Sequence, residues 1–162
     1  MSNEFKLPNA KSVIFWPVGT GDSTTIVLRP NQIVMQIDLR DLEKANDSDE
    51  PEWCIIDELV KMLPKKGNGR PYLALFVLTH PDKDHIQGFA ELLKRVDIGE
   101  LWHTPKIFRD QSDQEALCDD AKVFRKEVDR RRKAILATPN AVKSGDRLRV
   151  IGHDEILLED KY

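Results

Sequence analysis

Two things are scarce in this chain: cysteine and long apolar runs. Only Cys54 and Cys118 are present, far apart and in no CxxC spacing, which excludes a disulfide framework and leaves both expected as reduced core thiols. No apolar run approaches the roughly 20 residues needed to cross a bilayer. The opening Met1-Ser2-Asn3-Glu4-Phe5-Lys6 also lacks the apolar stretch of a signal peptide. No membrane partner is expected, and the default location is cytoplasmic. Neither sign of charge dominates. The 25 basic and 28 acidic residues leave a formal charge of −3, so no global positive field recruits nucleic acid. Internal repeats and low-complexity tracts are absent.

What is present is ordinary globular material. The 162 residues are 40% hydrophobic and 33% charged, enough for one folded domain over residues 1–162. Apolar, β-branched stretches at 12–16 and 24–28 flank the turn Val18-Gly19-Thr20-Gly21-Asp22-Ser23 and read as a hairpin-like start. A third strand, 32–38, places Ile33, Met35 and Ile37 on one face and ends on Asp38. Residues 46–51 form an acidic loop, and 51–63 read as a helix with Pro51 in its first turn. Residues 72–78 are a nearly continuous apolar strand that delivers the chain to Thr79 and His80. A helical stripe ending near Asp97, a short strand at 100–103 and a long helix over 113–136 follow. The last segment, through 148–158, reads as a hairpin turning at Gly152 and His153.

The chemistry concentrates in Thr79-His80-Pro81-Asp82-Lys83-Asp84-His85, where four side chains able to ligate metal fall within six residues. One continuous helix cannot aim the whole set at one point, because its rotation carries His85 roughly 140° out of register with His80. Pro81 disfavours helix at its predecessor. A strand end, an irregular loop and a helix starting near Asp84 can gather the set, with His80 and Asp82 toward one metal and Asp84 and His85 toward another. Imidazole and carboxylate donors suit zinc, and the additional carboxylate also admits manganese or magnesium. The plain alternative is a buried His80, with Asp82 and Asp84 serving only as helix caps.

The segment resembles the HxHxDH signature of the metallo-β-lactamase superfamily, with Asp82 where the second histidine usually stands. Together with the Gly19/Gly21 turn it resembles the ComEC-type branch, which includes hydrolase domains of competence DNA-uptake proteins. The resemblance covers about residues 12–105. It implies an α/β fold of the αββα sandwich type, of which the chain is expected to supply the N-terminal half. It also implies two divalent metals with a bridging hydroxide that attacks an ester or phosphodiester. Asp84 would orient the hydroxide or bind the second metal, with Asp38 and Asp22 supporting.

The superfamily's later ligands have only weak candidates here: His153, which falls in a turn, and His103, placed to line a substrate cleft. Two function classes follow. One is a metal-dependent hydrolase acting on a phosphodiester or nucleic acid. The other is a catalytically incomplete metal-binding or interaction module that needs a C-terminal half or a second copy of the chain, packed sheet against sheet as a homodimer. The basic run Arg130-Arg131-Arg132-Lys133 is either a nucleic-acid contact or a solvated helix face paired with Glu127.

Overall fold

The computed structural model describes residues 9–41, 54–108 and 117–152. Three strands, β1 (Ser12–Phe15), β2 (Thr24–Arg29) and β3 (Ile33–Ile37), form an antiparallel meander. The chain then passes through helix α1 (Ile55–Met62) into β4 (Tyr72–Leu78), through α2 (Lys83–Ile86) and α3 (Phe89–Arg95) into β5 (Asp97–His103), and through a 3-10 turn at Pro105–Phe108 and α4 (Asp119–Ala137) into β6 (Arg147–Val150). From β3 onward the pairings are parallel, and the six strands lie in sequence order. The protein is therefore mixed α/β with one mixed sheet. No helix among the described residues is long and apolar enough to cross a membrane.

The two faces of the sheet differ. Directly paired residues share a face, so Ile14, Thr25, Gln36, Phe76, Leu101 and Leu148 form one cross-strand row. Phe76 and Leu101 in that row belong to the core cluster that also contains Ile56 and Leu59 of α1, Phe89 and Leu92 of α3, and Phe124 and Val128 of α4. The rings of Phe76, Phe89 and Phe124 meet at centroid separations of 4.9–6.1 Å. Each such buried side chain contributes roughly 1.5–3 kcal/mol by leaving water. The opposite face carries the rows Val13, Ile26, Met35, Leu75 and Phe15, Ile37, Val77, Trp102. At its edge Phe15 is 77% exposed.

Several expectations are adjusted. The face of β3 bearing Ile33, Met35 and Ile37 is only half-buried, while Val34 and Gln36 are buried on the helix side. Gln36 is tolerated there because its amide is satisfied by Thr25 Oγ1, Ser23 Oγ and Asp38 O. The helix after the motif is broken in two by Gly88, whose φ is +95° and whose missing Cβ leaves room for Asp41. β5 begins at Asp97, earlier than expected.

α4 starts at Asp119, since Cys118 before it is extended; Asp113 lies outside the described residues. Asp120 caps α3 by accepting from the backbone N–H groups of Gly88 and Ala90. The two cysteines form no disulfide and are half-buried, each at the N-terminal edge of a helix, with Cys118 packed against the core cluster. β6 adds parallel to β5, while the returning strand of the expected hairpin, His153, and the acidic loop with Pro51 lie outside the described residues.

Candidate metal centre

The site forms at the carboxyl ends of β3 and β4, where open α/β sheets place their ligands. β3 ends because Asp38 turns into the left-handed region, with φ of +49°, which costs an L-residue roughly 1–2 kcal/mol and suits aspartate better than most. The turn is held by Asp38 N–H donating to Val77 O at 2.8 Å and by Gln36 Nε2 donating to Asp38 O at 2.7 Å. The carboxylate of Asp38, almost fully buried, is left facing the loop after β4.

Three groups converge on that carboxylate. Thr79 N–H donates to Oδ1 at 2.8 Å, the Thr79 hydroxyl donates to Oδ2, and His85 Nδ1 lies 2.9 Å from Oδ2. An ionised carboxylate only accepts, so His85 carries its proton on Nδ1. The same logic passes one residue further. Thr79 spends its single hydroxyl proton on Asp38, so His80 Nδ1, 3.0 Å from Thr79 Oγ1, must be the donor in that contact. Both neutral imidazoles are thus fixed with Nδ1 protonated and Nε2 left as a lone pair. That is the arrangement a carboxylate imposes on a metal-binding histidine when it accepts from the ring's other nitrogen. The two rings sit 5.1 Å apart.

Asp22 completes the set. Among the described residues, ligand atoms of Asp22, Asp38 and His85 all lie within 4.8 Å of one another, forming a group able to hold a metal ion. Asp84 Oδ1 lies 4.0 Å from His85 Nε2. Asp82 is exposed and occupies the N-cap position of α2 but makes no side-chain capping bond. The plain reading of the motif fails on two counts, because His80 is exposed and Asp82 does not cap. The structure brings Asp22 and Asp38 closer to His85 than a purely local reading of residues 80–85 assumes. Thr79 was not singled out from the sequence, since its role depends on pairing across to β3.

Burial is the largest single influence on His85 and opposes its charge, but the hydrogen bond and charge of Asp38, with Asp84 and Asp22, outweigh it and hold the pKa above the ordinary 6.5. The surroundings favour a protonated, positively charged ring at this position.

His103 does not line a cleft. It is buried at the end of β5, its Nδ1 3.0 Å from Thr104 O, and its ring packs edge-on to Phe108 and Phe124. Burial pushes its pKa down.

Of the basic run, Arg130 and Arg131 lie toward the opposite end of the sheet. Arg131 is buried and donates to the carbonyls of Ile98, Gly99 and Arg147, near the starts of β5 and β6, while its Nε pairs with Glu127 at 2.7 Å. Arg130 is engaged with Glu127 and Asp146, and Arg132 reaches Asp129 and the Phe108 ring. Arg130, Arg131 and Arg132 are thus each paired with an acidic side chain. Compared with known proteins, the chain matches no family model and no curated protein sequence.

Proposed function

We propose that this protein is a metal-dependent hydrolase whose centre is built around Asp38, with a phosphodiester as its substrate class. The observation that carries the metal reading is the pair of imidazoles, His80 and His85, whose tautomers are fixed by one buried carboxylate beside Asp22. This donor set fits a divalent ion. His85 and the carboxylates of Asp22 and Asp38 would hold it, His80 Nε2 would join them from the adjoining loop, and Asp82 and Asp84 would serve a second ion. Zinc suits the nitrogen donors best, with manganese or magnesium at the carboxylate-rich side. A divalent ion bound there supplies Lewis acidity and lowers the pKa of water. Asp84 would take up a proton or orient the attacking water.

A sheet with helices on one face and apolar rows on the other supports the reading of one half of a metallo-β-lactamase-like αββα sandwich. The phosphodiester assignment rests on the motif's resemblance. A second reading is favoured by one observation: among the described residues beyond α2, His103 is buried against Phe108 and Phe124 and does not belong to the group that could hold a metal. Such a protein would bind metal without turnover until a second half or a second copy covers the open face.

Hydrolysis of bis(p-nitrophenyl) phosphate by zinc- or manganese-loaded protein separates the two readings. Turnover lost in Asp84→Asn supports the hydrolase. Metal uptake with no turnover supports the binding module.

A further inference from the structure

The segment that follows β3 is a brace with contacts on two sides. Asp38 holds His85, Leu39 N–H donates to His85 O at 2.8 Å, and Asp41 N–H donates to Gln87 O at 2.9 Å. Asp41 Oδ1 also accepts from Ile56 N–H at 3.3 Å. These bonds fix the brace to α1 and to the helix carrying His85. Arg40 reaches the other way. Its Nη1 donates to Val18 O at 2.8 Å, to Thr20 Oγ1 at 2.7 Å and to Thr20 O, gripping the loop between β1 and β2 from the segment that bears Asp38.

The loop is shaped to accept this grip. Gly21 has φ of +96°, and a Cβ there would lie 2.3 Å from Asp84 O and 2.8 Å from Asp84 Cβ. The loop backbone therefore rests directly on the metal-site helix, and the next residue is Asp22. Without Arg40, Val18 and Thr20 lose the side chain that ties the loop to the brace, and the exposed Asp22 lies two residues beyond Thr20.

We infer that Arg40 is a positioning residue that holds Asp22 in the metal centre by latching the loop between β1 and β2. The inference rests on the metal reading above and extends it to a residue that touches no metal. Its sign is diagnostic. Arg40 is a cation beside a cluster of carboxylates, so electrostatics alone makes its removal tighten the binding of a divalent ion. The latch requires the opposite.

The test is a double-mutant cycle read by zinc titration of the full chain: wild type, Asp22→Asn, Arg40→Gln, and the two together, each with a thermal melt to establish that it is folded. Arg40→Gln is expected to weaken zinc binding about 10- to 100-fold, the size of effect typical of residues that orient ligands, and to add nothing once Asp22 is Asn. Arg40→Lys should recover part of the loss. Gly21→Ala, which displaces the loop without touching charge, should behave as Arg40→Gln does and keeps the test valid if that variant does not fold.

Zinc binding that is unchanged or tighter in both Arg40→Gln and Gly21→Ala overturns the inference while leaving the metal reading intact. So does an equal loss in the Asp22→Asn background. A wild-type protein that takes up no zinc overturns the metal reading itself, and the inference with it.

Discussion

His85 Nδ1 lies 2.9 Å from Asp38 Oδ2, joining the end of β3 to the helix that follows β4 across 47 positions of sequence. Through Thr79 the same carboxylate also sets the tautomer of His80. Asp38 therefore links strand geometry to ligand chemistry, and the first prediction concerns it.

Asp38→Asn replaces an acceptor of three hydrogen bonds with a group that has one acceptor oxygen and a competing N–H donor. Leaving buried donors unmatched costs about 1–3 kcal/mol, measurable by urea denaturation of metal-free protein. Zinc affinity should fall about 10- to 100-fold through loss of ring orientation. Unchanged affinity would remove Asp38 from the site.

The raised pKa of His85 gives a pH signature with opposite senses in the two forms. In metal-free protein the folded state holds the proton more tightly than the unfolded chain. This contribution is fully present below the unfolded value of about 6.5 and is lost as pH rises through the raised folded value. Zinc needs the ring unprotonated, so its binding strengthens over the same rise. The increase in Tm on adding zinc should therefore grow between about pH 5.5 and 8. A zinc effect independent of pH would exclude His85 as a ligand.

Arg131 staples α4 to β5 and β6 through three carbonyls while paired with Glu127. Arg131→Ala removes the donor to those carbonyls and one of the two arginines that pair with Glu127, and should destabilise by about 1–3 kcal/mol. Arg132→Ala, at an exposed position, should stay within about 0.5 kcal/mol. Equal effects would contradict the distinction between a buried staple and a solvated face.

The apolar rows opposite the helices end in Phe15, 77% exposed, and Val13, 53% exposed. A surface of this kind favours association. Static light scattering should find a concentration-dependent rise in mass that Phe15→Glu suppresses with little change in stability. A strictly monomeric wild type would count against a second copy as the cover.

The parts of this architecture that were legible in the sequence are those written in local periodicity. The run from Tyr72 to Leu78 marked a buried strand, and its delivery of His80 to a loop followed from Pro81. Gln36 was not legible, because alternation assigns Ile33, Met35 and Ile37 to the core face and gives no sign that Thr25 and Ser23 will satisfy a buried amide. Thr79 and Arg40 escaped for the same reason: each acts through partners on another strand or loop. Gly88 could be seen, but not that its φ would split the helix, since that depends on the approach of Asp41. Asp22 and Asp38 drew attention only through resemblance, and the fold gives them their physical place beside His85.

The most direct test is metal content. Protein purified without chelator, dialysed against zinc and measured by mass spectrometry should retain about one or two equivalents, as expected for sites of this ligand type, and the His80→Ala/His85→Ala variant, folded by circular dichroism, should retain none. A folded wild type that retains no zinc, manganese or magnesium, or a double variant that retains as much as the wild type, would contradict the metal centre on which the functional account stands.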